Sequence, residues 1–279
     1  MLRRILIPLD SSPYSQAALK WGCYTAKRLD AELTGLAVLD IPGIERSVGS
    51  VPAGGIYFAQ HLVEKREDEA LGHVEKLLKD FEEKCKQDGI KYRIAKRQGN
   101  PSDEIIHSSI YHDLVVLGLR NCYHFECEQK ANDSVEKVLD NMVTPVLAVP
   151  DRFEVPQGKV NALIAFNASL PSSRAMHRFA QLVRTAEFKV KLLMSDPDMD
   201  YAQSCLAQAE EYLRAHDFDD IEKVWTPQNI YEEIRDQHLA DANLIVIGAH
   251  LKKGITDFMV NSLMKHLLRE ENKYLLIGQ

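Results

Sequence analysis

Short apolar runs alternate with amphipathic stretches along the first half of the chain. Residues 5–9 and 114–117 are continuously apolar, which is typical of parallel strands that are buried on both faces. Residues 18–29 instead carry their apolar side chains at helical spacing. Together with the other runs, this pattern predicts the order β-α-β-α-β-α-β-α-β for residues 1–150, which is a parallel, doubly wound sheet.

The same pattern repeats after a polar connector at residues 151–159. Gly118 and Gly248 each end an apolar run and precede a polar segment, an amphipathic helix and a last apolar run. The second copy is shorter because it lacks a counterpart of the Gly/Pro-rich stretch at residues 41–58, which we predict to be a loop. The repeat predicts two tandem α/β domains, residues 1–150 and 151–279, each with a five-stranded parallel sheet.

Composition and charge exclude several classes of protein. A net charge of −7 argues against general nucleic-acid binding, which needs a basic surface. No apolar run approaches the roughly 18 residues of a membrane span, and the apolar start ends at Asp10 without a signal-cleavage site. Five cysteines are an odd number in a chain with a large core, so we expect no disulfide framework and a cytoplasmic location.

Three segments resemble the universal stress protein family: residues 5–15 (ILIPLDSSPYS), 113–118 (DLVVLG) and 144–150 (TPVLAVP). The resemblance extends over the whole chain as a tandem, two-domain member. It implies an adenine-nucleotide alpha-hydrolase-like fold with flavodoxin-like layering, and a stress-response or regulatory role in the cytoplasm. It also implies that the fifth strands of the two domains pair as in a dimer, and it leaves open whether two chains associate further.

Nucleotide-binding members of this family hold phosphates on a loop that begins with Gly-x-x-Gly and ends, after nine further residues, with Gly-Ser or Gly-Thr. Glycines let backbone N–H groups approach the phosphates, and the hydroxyl and the helix N-terminus complete the anion site. Both copies here keep the leading glycine and the final serine but replace the glycines between them. The matching positions are Gly118, Asn121 and Ser134 in the first copy, and Gly248, Asn261 and Ser262 in the second.

The replacements weaken the phosphate site to different degrees. Asn121 and Asn261 can still adopt a left-handed backbone, whereas Leu251 places an apolar side chain where phosphate would lie. Asp133 adds a negative charge beside Ser134, which opposes a triphosphate. ATP is therefore a candidate ligand rather than an established cofactor. The two serines fit ordinary helix N-caps equally well.

Two strand positions carry roles that the resemblance implies. Asp10 follows the first strand, where folds of this kind place their ligand crevice, and the matching acid of the family lies near ribose and phosphates. The second copy has Asn167 there, which lacks the charge. Val38 matches the position whose backbone contacts adenine, although a role as an ordinary core residue fits it as well.

The segment Cys122–Cys127 is a weak candidate for a metal site. Two thiolates and the His124 imidazole within six residues are zinc-ligand types, but the spacing is not that of a standard zinc finger. We therefore predict no metal and treat Cys122, His124 and Cys127 as loop residues with zinc binding as the alternative.

Three functions remain open. The first is a non-enzymatic regulatory protein that binds a small molecule, since no Gly-x-Ser-x-Gly or His-Glu-x-x-His signature occurs. The second is an ATP-binding switch with slow hydrolysis, mainly in the first domain. In the third, Ile56, Tyr57 and Phe58 of the Gly/Pro-rich stretch line the crevice and select a partly hydrophobic ligand in place of ATP.

Overall fold

The chain divides by its contacts into two compact units in this computed structural model. The structure describes residues 2–49, 55–124, 137–139, 141–183, 187–248, 263–264, 266–268 and 272–278. The first unit spans residues 2–143, and the second spans residues 144–279. The sequence pattern places its division after residue 150 instead, and those domain limits stay a prediction.

The first unit has a four-stranded, fully parallel sheet in the order β3-β2-β1-β4. Its strands are β1 (Arg4–Pro8), β2 (Glu32–Leu39), β3 (Tyr92–Gln98) and β4 (Leu114–Gly118). Its helices are α1 (Pro13–Leu29), α2 (Ile41–Val48), α3 (Ile56–Asp88) and α4 (Pro101–Ser109). Strands and helices alternate along the chain, so the parallel α/β class predicted from the sequence is confirmed.

The second unit has six strands in the order β5-β10-β9-β6-β7-β8. Its strands are β5 (Val146–Val149), β6 (Val160–Ala165), β7 (Phe188–Ser195), β8 (Ile221–Thr226), β9 (Leu244–Gly248) and β10 (Tyr274–Gly278). Its helices are α5 (Leu170–Leu182), α6 (Met199–Arg214) and the short α7 (Ile230–Glu233), which continues as a π-helical turn over Ile234–His238.

The fifth strands of the two copies pair with each other. β5 runs antiparallel to β10, with Leu147 opposite Leu276, whereas the remaining strand pairs of the second unit are parallel. This is the pairing that the family resemblance implies. Because of it, β5 belongs to the second unit although the sequence pattern counts it with the first copy.

The core of each unit lies on both faces of its sheet. Every residue of β4 and β9 is buried, as their continuously apolar sequences predict. In the first unit, the Phe81 ring of α3 packs directly over Gly35 of β2, because a Cβ at Gly35 would lie 2.7 Å from that ring. The absence of a side chain at Gly35 therefore lets helix and sheet approach closely.

The Gly/Pro-rich stretch contains helices, so the loop predicted for residues 41–58 is wrong at both ends. Asp40 accepts a hydrogen bond from the N–H of Gly43 (2.9 Å) and so caps α2. Pro42 occupies the first turn of α2, where its missing N–H costs nothing. Residues 56–58 form the first turn of α3. Among the described helices, none combines the length and the hydropathy of a bilayer-spanning segment.

Candidate functional site

The turn between β1 and α1 is held by the Asp10 carboxylate. Its Oδ1 accepts hydrogen bonds from the backbone N–H (2.8 Å) and the hydroxyl (2.5 Å) of Ser12. Ser12 in turn caps α1 by accepting from the N–H of Ser15 at 3.2 Å. Asp10 is buried, and it lies at the carboxyl end of the strand, where the sequence places the ligand crevice.

The second unit repeats this turn with an amide in place of the acid. Asn167 Oδ1 accepts from the backbone N–H (3.2 Å) and the hydroxyl (2.6 Å) of Ser169. Ser169 caps α5 by accepting from the N–H of Ser172. Since a neutral amide supports the same turn, the bonds to Ser12 do not require a charge on Asp10.

The second carboxylate oxygen of Asp10 makes a further contact. This oxygen, Oδ2, accepts a hydrogen bond from the backbone N–H of Cys122 at 2.7 Å. Cys122 lies in the segment that follows β4, Leu119–His124, which we call the β4 segment. The acid therefore binds the chain's own loop at the place where the family resemblance puts ribose and phosphate.

A second acid, Asp40, binds His124, the last residue of the β4 segment. His124 Nδ1 donates to Oδ2 of Asp40 at 2.9 Å, and the Asp40 side chain is only 2% exposed. Asp40 follows β2 as Asp10 follows β1. Two carboxylates at the carboxyl ends of neighbouring strands thus bind the β4 segment at Cys122 and at His124.

Asn121 fills the position where the family pattern has its second glycine. Its side chain is fully buried, and a Cβ at Gly118 would collide with its Oδ1. The Asn121 side chain lies within hydrogen-bonding reach of Asp10, where it helps to lower the pKa of that carboxyl. The buried Tyr123 hydroxyl has no hydrogen-bond partner within the described part of the chain. An unpaired buried hydroxyl costs on the order of 1–3 kcal/mol, so Tyr123 offsets part of the stability that the other contacts give the β4 segment.

The leading glycines of both copies lie against helix N-termini. A Cβ at Gly118 would lie 3.0 Å from the carbonyl carbon of Tyr14 and closer still to its Cβ. A Cβ at Gly248 would lie 2.6 Å from the backbone nitrogen of Ser172 and closer still to Pro171. Both glycines are therefore needed for a strand to pack on the first turn of the first helix of the same unit, a role that the phosphate interpretation did not include.

Burial controls the electrostatics of this site. Desolvation raises the pKa of Asp10, while the hydrogen bonds from Ser12 and Cys122 oppose that rise. The pKa of Tyr123 lies well above its ordinary value, because the ring is buried and Asp10 is close. A crevice that carries Asp10 and Asp40 disfavours a further anion such as a triphosphate.

The raised pKa of Asp10 predicts how stability changes with pH. An acid whose folded pKa lies above its unfolded value, near 3.8, stabilises the fold below that value and loses this contribution as pH rises through the folded pKa. We therefore expect the stability of the wild type relative to Asp10→Asn to fall as the pH rises from about 3 to about 7. Urea unfolding of both proteins across this range measures it, and a difference that grows with pH would contradict it.

The remaining predicted site residues are distributed as follows. Val38 is half-buried in β2 and pairs with Arg97 of β3. Ser134, Asn261, Ser262 and Cys127 lie outside the described residues, so their roles stay predictions. The pairing of Asp40 with His124 was not predicted. Its signal was present, because Asp40 follows a buried strand at the same sheet edge as Asp10.

The structure does not support the zinc alternative at Cys122. Cys122 is disulfide-bonded, so its sulfur is not the thiolate that zinc requires. The sequence analysis did not anticipate this bond. His124 is bound to Asp40, and no cluster of three or more metal-ligand side chains occurs in the described ranges.

The aromatic side chains that the third hypothesis places over the crevice point to solvent. Ile56, Tyr57 and Phe58 are 56%, 83% and 74% exposed in the first turn of α3. They do not line the crevice in this structure.

Comparison with known proteins places the chain in a family. The family model described as the universal stress protein family matches residues 1–150. The chain belongs to this family. Universal stress protein MJ0531 of Methanocaldococcus jannaschii is 28% identical over 151 residues, which are 53% of this chain and 82% of that protein. Universal stress protein YxiE of Bacillus subtilis is 28% identical over 152 residues, 53% of this chain and 99% of that protein.

A solved structure shows that the universal stress protein fold extends over the second unit. The universal stress protein of Archaeoglobus fulgidus covers 99% of this chain and 96% of its own, with a TM-score of 0.72 and 18% identity. At this identity the likeness shows the fold alone. The chain is thus a tandem universal stress protein by fold, while the sequence match to the family covers its first copy.

Proposed function

We propose that this universal stress protein is a non-enzymatic regulatory protein that binds a small ligand in the crevice at the carboxyl ends of its strands. The hydrogen bond between the Cys122 N–H and Asp10 carries the proposal. A backbone N–H of the loop that holds phosphates in nucleotide-binding members is already bound to a carboxylate here. The cytoplasmic location and the association of two chains stay predictions.

The charges of the crevice support a ligand with little negative charge. Asp10 and Asp40 are buried there, and both are bound to the β4 segment. A triphosphate would face both acids across a short distance in a poorly solvated place, where Coulomb repulsion is strong. The half-buried Val38 offers an apolar contact on β2.

An ATP-binding switch with slow hydrolysis is the second candidate function. It is favoured by the buried Tyr123 hydroxyl of the β4 segment, which has no hydrogen-bond partner in the described ranges. Opening this segment would uncover Gly118 and let the hydroxyl find a partner. The acids at the crevice disfavour this function, and only a ligand with a strong gain in the open form would shift the population.

Native mass spectrometry of the freshly purified protein separates the two functions. We expect any ligand that remains bound to have a mass that does not correspond to a nucleotide, and the Asp10→Lys protein to lose it. A retained mass of ATP at one copy per chain would contradict the proposal and support the switch. Bound zinc would appear in the same spectrum.

A further inference from the structure

The second unit contains a cavity at the opposite end of its sheet. It has a volume of about 130 Å³ and lies where β6, β7 and β8 begin, beside the π-helical turn that ends at His238. It is lined by Asn161, Ala162, Leu163, Lys189, Lys191, Glu222, His238, Asp241 and Ala242. The crevice discussed above lies at the carboxyl ends of the strands, so this cavity is a separate place.

Strand register identifies the matching positions in the first unit. Leu6 pairs with Thr34, and Leu163 pairs with Lys191, so Lys191 stands where the first unit has Thr34. The residue before β4 donates its N–H to Arg4, and the residue before β9 donates to Asn161. By the same register, Asn161 stands in place of Arg4, and Ala242 stands in place of His112.

Two of these replacements, Ala242 for His112 and Asn161 for Arg4, shorten the side chain and open space for the cavity, whereas Lys191 is longer than Thr34. In the first unit, the His112 ring fills the space, with its Nε2 2.9 Å from Oγ1 of Thr34. Arg4 adds an ion pair to Glu32 at 3.5 Å. Ala242 and Asn161 are shorter and leave that volume open in the second unit. The shorter side chains of Ala242 and Asn161 therefore distinguish this place from the matching place in the first unit.

The cavity combines an apolar floor with charged walls. Ala162, Leu163 and Ala242 are buried and form the floor. Lys191 Nζ lies 3.3 Å from Nδ1 of His238 and 3.5 Å from Oε1 of Glu222. A lysine ammonium has three N–H donors, so Lys191 keeps one donor beyond these two contacts for a ligand.

The lining carries two charges of each sign. Lys189 and Lys191 alternate with the buried Val190 along β7 and so point to the same face. Glu222 and Asp241 supply the negative charges. An anion would meet two carboxylates, and a cation would meet two ammonium groups, so neither is complementary to the whole lining.

We propose that this cavity binds a small aliphatic α-amino acid as the zwitterion. The ligand carboxylate lies against Lys189 and Lys191, its ammonium against Glu222 and Asp241, and its short side chain on the floor formed by Ala162 and Ala242. Such a ligand offers partners to Lys189 and Asp241, adds to the existing Lys191–Glu222 ion pair and buries its alkyl group, which neither a plain anion nor a plain cation achieves.

Calorimetric titration of the full-length protein tests this site, with L-alanine as the probe. We expect saturable binding at one site, and binding at least about tenfold weaker for propionate and for ethylamine, which each carry one of the two charges. Ala242→His restores the side chain of the first unit and is expected to abolish binding. Lys191→Met is expected to weaken binding by at least about tenfold.

Lys159→Met is the matched control, because Lys159 is an exposed lysine of the same unit that pairs with Asp220 and does not line the cavity. It is expected to bind L-alanine like the wild type. Circular dichroism shows whether Ala242→His folds. If it does not fold, the binding of L-alanine by Lys191→Met tests the proposal instead. No binding of L-alanine, equal binding of propionate, or unchanged binding in Lys191→Met would overturn the proposal.

Discussion

Phe81→Ala is expected to lower the free energy of unfolding of the first unit by about 3–5 kcal/mol, the usual cost of truncating a buried phenylalanine. Phe81 is only 1% exposed. Its ring lies over Gly35 and packs edge-on against Tyr92, with ring centroids 6.2 Å apart. Removing the ring leaves a cavity between α3 and the sheet that the backbone at Gly35 cannot fill. Urea unfolding followed by circular dichroism measures the loss.

Phe58→Ala is the matched control in the same helix. Phe58 is 74% exposed, so we expect its truncation to change stability by no more than about 0.5 kcal/mol. This variant also tests the hypothesis that the aromatic residues of this stretch line the crevice. A loss of several kcal/mol in Phe58→Ala would show that its ring is buried, and would contradict the structure at this helix turn.

Gly118→Ala and Gly248→Ala are each expected to destabilise their unit by about 1–3 kcal/mol or more. The added Cβ would meet the Tyr14 carbonyl carbon at 3.0 Å in the first case and the Ser172 nitrogen at 2.6 Å in the second. Backbone atoms in a helix N-terminus move only with the helix, so little relaxation is available. The losses should appear without any ligand present, because they arise from packing.

Gly72→Ala is expected to raise the free energy of unfolding instead of lowering it. Gly72 lies on the exposed side of α3, and a Cβ there would meet nothing within 4 Å. Alanine in a helix interior is more favourable than glycine by about 0.5–1 kcal/mol. If Gly118→Ala were as stable as the wild type while Gly72→Ala behaved as expected, the packing role assigned to Gly118 would be wrong.

The fold could be predicted from the sequence because its signals are local. Each continuously apolar run marks a buried parallel strand, and Gly118 and Gly248 mark the repeat. The helices of residues 41–58 were missed because Gly43 and Pro42 suggest a loop, whereas the capping of α2 by Asp40 outweighs their low helix propensity.

The site was harder to predict because its contacts join distant parts of the chain. The spacing of Gly118 and Asn121 in the sequence suggested a phosphate site. The structure shows instead that Tyr14 packs against Gly118, and that Asp10 and Asp40 bind the β4 segment, contacts that form only in the fold. The cavity at Ala242 could not be predicted from the sequence pattern either. To recognise it, the two copies must be aligned residue by residue, and the strand pairing in the structure provides that alignment.

Titration of Mg-ATP into the wild type and Asn121→Gly tests the central claim most directly, namely that the chain's own β4 segment closes the phosphate position. Asn121→Gly removes the buried amide over Gly118 and restores the glycine of the family pattern. The account predicts that Asn121→Gly binds Mg-ATP at least about tenfold more tightly than the wild type. Tight one-to-one binding by the wild type, with an affinity equal to that of Asn121→Gly, would contradict it.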